Sequence, residues 1–285
     1  MKLAFSTLGC PEWTLPKVAG AARNLGYDAI ELRALGGSIN LLERPEFQPA
    51  TVGETKRFLE DQNLSICCVD SSCTFDAADK TTRRENIETA LRHCELAERL
   101  GAPLIRVFPD KVQSGMTREE TSANIAECLR EVARQASAGV RVGLETHGDF
   151  ARGHAAAEIV RLAGHRSVAL IWDVANALAA GDSIGESARE VSPYLAHVHL
   201  RDARPIEGRE HWQPVLAGRG NVSFDEAIDA LHCLNFESFI SFEWEKYWDP
   251  EIEEPEIALP DFAEAIKLVL KGKREDRYTN AVQTT

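Results

Sequence analysis

Residues 142–147 read VGLETH, and three later stretches repeat the plan: ALIWDVAN at 169–176, AHVHLRD at 196–202 and ISFEW at 240–244. Each is a short apolar run that turns ionisable at its C-terminal end, at Glu145, Asp173, His199 and Glu243. A continuous apolar run of this length fits a strand buried on both faces, as in a parallel sheet. In an eight-stranded parallel barrel the C-terminal ends of all strands meet at one mouth.

Upstream, further candidate strands lie at about 2–7 (KLAFST), 29–34 (AIELRA), 65–71 (SICCVDS) and 104–109 (LIRVFP). With 141–147, 168–174, 195–201 and 239–244 they make eight. Amphipathic segments separate them, at about 15–26, 52–63, 83–101, 117–139, 154–163, 183–191, 223–234 and 260–271. Glycines close two of these where a helix C-cap needs one, and Thr117 followed by Glu120 is a capping-box pattern. Strand–helix repetition means a parallel sheet. The first strand is followed by STLGCPEW, with no GxGxxG phosphate loop, so the open doubly wound sheet is disfavoured. The expected fold is α/β, a single (β/α)8 TIM barrel over 1–272 with a polar C-terminal tail, 273–285, that frays.

Side chains alternate along a strand, so parity sorts the runs. Gly143, Glu145 and His147 share one face; so do Ala169, Ile171 and Asp173, then His197, His199 and Arg201, then Ser241, Glu243 and Glu245. Each inward set is small or apolar low on the strand and ionisable at the top. A barrel with a polar mouth requires this gradient.

The 285 residues carry a net charge of −13, a poor match for nucleic acid, whose phosphates need a basic partner surface. Seven cysteines in no regular framework, without a CxxC pair, read as reduced thiols in a cytoplasmic protein. No signal peptide and no membrane span is expected. A homo-oligomer is compatible with the sequence, which does not determine it.

Three carboxylates and one imidazole at one mouth suit Mn²⁺, Mg²⁺ or Co²⁺, and zinc is compatible. The alternative is structural, each acid capping the next helix or pairing with an arginine. Four on consecutive strands with matched parity favour the metal site.

At these residues the chain resembles the sugar isomerase/epimerase superfamily with the xylose-isomerase-like barrel. The likeness runs from FSTLGCPEW and YDAIELR to LETHGDF, WDVAN, HVHLRD and FISFEWEKYW. Members include tagatose/psicose 3-epimerases, hydroxypyruvate isomerase, inosose dehydratase and endonuclease IV. The resemblance implies one divalent metal, Mn²⁺ first, on Glu145, Asp173, His199 and Glu243, with Glu145 and Glu243 as paired acid/base groups. The chemistry agrees: removing a proton next to a sugar carbonyl needs a nearby base and a Lewis acid for the developing enediolate. Two features depart from the pattern. Asn176 stands where the ketose epimerases carry a histidine, and Arg219 stands where relatives often carry an acid. Early strands lack the histidines of the nuclease, which is rejected.

Secondary candidates follow. His147 is read as an acid/base or hydrogen-bonding group, or as a support orienting Glu145, and Glu31, Arg106, Arg201 and Trp13 as substrate contacts, with structural pairing the alternative for Arg106. Glu31 would approach substrate hydroxyls as an acid does in relatives, or pair within the barrel. Trp13 or Trp212 would wall the pocket, Trp172 would pack beneath a helix, and Cys10 would line the mouth. His197 is read as a packed or supporting histidine, and Asp202 as a support for His199 or a loop cap. The acidic loop 246–260 would cover the mouth, meet another subunit or simply be solvated. The leading expectation is a metal-dependent isomerase or epimerase of a small keto sugar or polyol. Its rivals are a dehydratase or β-elimination lyase on a 3-keto sugar or inosose, and a non-catalytic sugar-binding barrel.

Overall fold

The eight apolar runs pair in parallel and close on themselves. In the computed structural model, which describes residues 1–208 and 211–283, the barrel strands are β1 Lys2–Ser6, β2 Ala29–Leu32, β3 Ser65–Thr74, β4 Leu104–Phe108, β5 Arg141–Glu145, β6 Val168–Asp173, β7 Leu195–Leu200 and β10 Phe239–Phe242. β1 closes the ring by pairing with β10 from Lys2 opposite Phe239 to Phe5 opposite Phe242. The expected single barrel is the observed fold.

Helices α1 Leu15–Leu25, α2 Val52–Asp61, α3 Lys80–Leu100, α4 Arg118–Gln135, α5 Gly153–Ala163, α7 Ile184–Val191 and α8 Phe224–Cys233 cover the outside. The Thr117–Glu120 capping box forms at the start of α4. Between helices and strands lies the main apolar core, in which Trp172 is fully buried and donates its indole N–H to Ser187 at 3.0 Å. The barrel interior is narrower and filled by Ala4, Ala29 and Cys67, with Cys68, Leu104 and Ile171 beside them. Gly143 points into this space: a Cβ there would stand 2.8 Å from the Ile171 side chain, so no larger residue fits.

Three segments differ from expectation. A short helix, α6 Val174–Ala179, starts at the end of β6, too brief for periodicity to reveal. The connection after β7 folds back as an antiparallel hairpin of β8 Asp202–Arg204 and β9 Gln213–Val215. The last helix, α9 Pro255–Gln283, begins earlier than 260 and continues through the segment expected to fray. Pro255 suits its first position, where no N–H is needed; residues 284–285 lie outside the described residues. Among the described residues no helix is long and apolar enough to cross a membrane. All seven cysteines are free thiols.

Candidate metal centre

β5, β6, β7 and β10 stand side by side in the ring, so the ionisable ends of the four opening runs become neighbours. Glu145, Asp173, His199 and Glu243 are all buried, and one donor atom from each lies within 4.8 Å of the others. Nδ1 of His199 is 3.2 Å from a Glu243 oxygen and 3.6 Å from a Glu145 oxygen. Nδ1 and Glu145 Oε2 are buried without a hydrogen-bond partner among the described residues. Inward-facing donor atoms left unsatisfied, in a set of three carboxylates and an imidazole, fit a hard divalent cation.

Two guanidiniums frame the tetrad. Arg106, on β4, donates to Glu243 at 2.8 Å and stands 3.2 Å from Glu145 and 3.7 Å from Asp70. Arg201, just past β7, donates to Asp173 at 2.5 Å and Glu243 at 3.3 Å, and pairs with Glu245 at 2.8 Å. Asp173 also plays the structural part foreseen for a single acid: its other oxygen accepts from the Asn176 N–H and caps α6.

Converging negative charge shifts the protonation of the site. Burial works against a charged imidazole at His199, yet Glu243, Glu31 and Glu145 outweigh it and push the group well above its ordinary range. Burial likewise opposes ionisation of Glu243, but His199, Arg106 and Arg201 hold it below the usual carboxylate range. Asp173 is raised, its burial outweighing Arg201.

Above the tetrad opens a cavity of about 900 Å³, lined among others by Arg106, His147, Asn176, Arg201, Trp212 and Trp248. His147 is 33% exposed, 3.7 Å from Asp110 and packed against Phe108. Asn176 accepts from Arg201 at 3.2 Å and donates to the Thr146 carbonyl. Glu245 also lines the cavity; burial lifts its carboxyl to about 7 against the pull of Arg201, with 27% of the side chain still exposed.

The secondary candidates are placed variously, some as expected and some elsewhere. Glu31 does not line the cavity: it lies beneath the tetrad, fully buried, 2.5 Å from His197 Nε2 and 3.1 Å from His199 Nε2. Those imidazoles overcome the cost of its burial and hold it well below the carboxylate range. A register shift between Ile30 and Glu31 in the β2–β3 pairing marks a local irregularity where this carboxylate leaves the strand. His197 is thus a supporting histidine. Trp13 is not a cavity wall, being tucked into the core under the Lys17 ammonium at 4.2 Å. Trp212 does reach the cavity, and Trp248, from the acidic loop, joins it. Cys10 is buried in the core away from the lining. Asp202 caps its loop by accepting from the N–H groups of Ala203, Gly220 and Val222. Arg219 is exposed.

The sequence reading missed Asp70. It is buried on β3, 3.7 Å from Arg106, and neither carboxyl oxygen has a hydrogen-bond partner among the described residues. Burial raises its pKa well above the ordinary value. The signal was available, since SICCVDS is one more apolar run ending in an acid.

Known proteins are similar to this chain in sequence or in structure. Escherichia coli YihM, an uncharacterised protein, is 26% identical over 211 residues, covering 72% of this chain but only 61% of its own. A probable L-ribulose-5-phosphate 3-epimerase of Mycoplasma pneumoniae is 22% identical over 224 residues, 74% of this chain and 70% of that one. Among solved structures, an L-ribulose 3-epimerase superposes with TM-score 0.78 at 17% identity, over 98% of this chain and 97% of its own. The zinc-bound IolI protein gives 0.76 at 21%, over 95% and 96%. The model of the xylose isomerase-like TIM barrel matches residues 19–267, and the chain belongs to that family.

Proposed function

We propose that the protein is a divalent-metal-dependent isomerase or epimerase of a keto sugar or related polyol. The carrying observation is that two glutamates, Glu145 and Glu243, flank the same imidazole nitrogen at the floor of the cavity. Proton removal on one face of a carbon and return on the other requires two such groups.

The residues that would hold the ion are Glu145, Asp173, His199 and Glu243, and when bound it supplies Lewis-acid stabilisation of the charge developing on the substrate's carbonyl oxygen. Glu243 is set up as the base. Without metal its ionised form is favoured by a protonated His199 and by Arg106 and Arg201; when His199 instead gives its lone pair to the ion, the two guanidiniums keep that role. Glu145 faces the same space and delivers its own proton to the opposite face of the carbon, so that the abstracted proton stays on Glu243 and Glu145 ends ionised. Arg201 fixes Asp173 and Glu243 together, keeping the base from swinging away. Trp212 and Trp248 offer aromatic faces for a sugar's C–H surface. The activities for which the ribulose epimerases are named and the zinc bound by IolI support this reading.

One observation favours elimination as a second reading. Glu245, with its carboxyl lifted to about 7, stands in the cavity as an acid able to protonate a leaving group. A metal-loaded panel of keto sugars followed by NMR in D₂O separates the two. An epimerase returns sugar of the same composition with deuterium at the reacting carbon, whereas a lyase loses water or an alcohol. Full turnover in a thoroughly chelated sample would overturn both, and tight sugar binding without any exchange would favour the non-catalytic barrel.

A further inference from the structure

Among the described residues three guanidiniums line the cavity; two are bound to carboxylates and one is not. Arg33 follows β2 and is only 3% exposed, yet among the described residues it has no carboxylate within ion-pairing distance. Its partners are neutral. Nη2 donates to the Ser72 hydroxyl at 2.8 Å, Nη1 reaches the Ile39 carbonyl only at 3.5 Å, and buried Nε has no partner. Trp248 stands at the cavity end of this group, its ring centroid 5.9 Å from Cζ.

A guanidinium removed from water without a counter-charge is costly, and proteins retain one when something else supplies the charge. Arg83 shows the structural alternative within the same chain. It is buried too, but two backbone carbonyls at 2.6 and 2.8 Å satisfy it, and it does not line the cavity. Ser72 adds a second donor, because its oxygen accepts from Arg33 while its own proton remains free to point at a ligand. β2 and β3 lie across the ring from β6 and β7, so this pair faces the tetrad over the mouth. The cavity of about 900 Å³ spans both.

We propose that Arg33 and Ser72 form a second subsite of the cavity, one that takes an anionic group, a carboxylate or a phosphate, carried by the substrate away from its reacting carbons. The inference rests on the proposed function in placing the reacting carbons at the tetrad. The anion faces a cation that stays charged at neutral pH: burial, then Arg106, lowers it to about 10 against the pull of Asp70, Glu243 and Glu145, none of which is near enough to form an ion pair with it. A neutral monosaccharide would leave this charge without a partner, so the subsite discriminates in favour of sugar acids or sugar phosphates.

The test is a calorimetric titration of metal-loaded protein, freed of excess ion, with inorganic phosphate and separately with acetate. At least one anion binds the parent. Arg33→Met weakens that binding about ten- to a hundredfold, the loss expected for a charge-assisted hydrogen bond. Ser72→Ala, at an exposed position, weakens it about fivefold. Unchanged metal content and melting temperature establish that the variants are folded. If Arg33→Met does not fold, Ser72→Ala decides the matter. Binding of phosphate alone identifies a phosphate ester and binding of acetate a sugar acid, and both support the subsite. Failure of both anions to bind, or equal affinity in Arg33→Met (or in Ser72→Ala when that variant decides), overturns it. In the D₂O sugar panel, neutral sugars exchanging as well as their acidic counterparts would also overturn it. Absence of exchange with every sugar would instead sink the proposed function, leaving the anion titration to decide Arg33.

Discussion

Glu31 Oε1 stands 3.1 Å from Nε2 of His199, on the side of the ring opposite Glu145 and Glu243. An imidazole that donates Nε2–H to this carboxylate presents its Nδ1 lone pair to the tetrad, so Glu31 selects the tautomer a metal ligand needs. Glu31→Gln keeps the volume but loses the anion. Its affinity for Mn²⁺ should fall about ten- to a hundredfold, read by competition against a chelating dye. An unaltered affinity would show that Glu31 is packing alone.

The tetrad divides by role. Glu145→Gln and Glu243→Gln should each slow deuterium exchange into substrate by about 10²–10⁴-fold. His199→Ala should lose the metal itself, read by elemental analysis after gel filtration. A glutamate variant that exchanges at the parental rate would remove that residue from the chemistry.

Arg106 is within reach of Glu243, Glu145 and Asp70 at the centre of the barrel. Removing it leaves these acids buried without their shared cation. Arg106→Met should lower stability by about 3–5 kcal/mol in metal-free urea unfolding. Adding Mn²⁺ should recover part of that loss, because a ligand bound only by the native state stabilises it by mass action. Equal losses with and without metal would argue against a cation shared by these carboxylates.

Two tryptophans should respond in opposite ways. Trp13 is buried in the core, so Trp13→Ala should cost about 3–5 kcal/mol of stability. Trp248 is 57% exposed at the cavity edge, so Trp248→Ala should change stability by no more than about 0.5 kcal/mol while raising KM. Parallel thermal melts and kinetics check both.

His93, on α3, is buried, and burial lowers its pKa from 6.5 to about 4 despite its bond to the Thr89 carbonyl. Above pH 6.5 both folded and unfolded chains hold it neutral. As pH falls from 6.5 toward 4 the unfolded chain takes up the proton and the folded one does not, so stability is lost, and the loss is complete below about 4. Relative to His93→Gln, the parent should lose about 3 kcal/mol between pH 7 and pH 4 in urea titrations. A pH-independent difference between the two would show that His93 titrates alike in both states.

The eight strands, most helices and the four candidate metal-holding residues were legible in the sequence because each rests on local periodicity. A buried parallel strand is an apolar run, and its parity places Glu145, Asp173, His199 and Glu243 on one face. Asp70 carried the same signature and could have been added on those grounds. What lies between strands was not legible. Arg106 reaches a glutamate 137 residues away, and Glu31 meets His199 at a separation of 168, because closing the ring makes distant segments adjacent. Loop placement was equally out of reach, since no period governs it: Trp13 turned into the core while Trp248 came to the mouth. Sequence alone determined the barrel and the chemical identity of its mouth. Only the tertiary structure decided which charges there neutralise one another, and that Arg33 faces the cavity without a carboxylate beside it. Charge pairing depends on distances of 3 to 4 Å, and only barrel closure sets those.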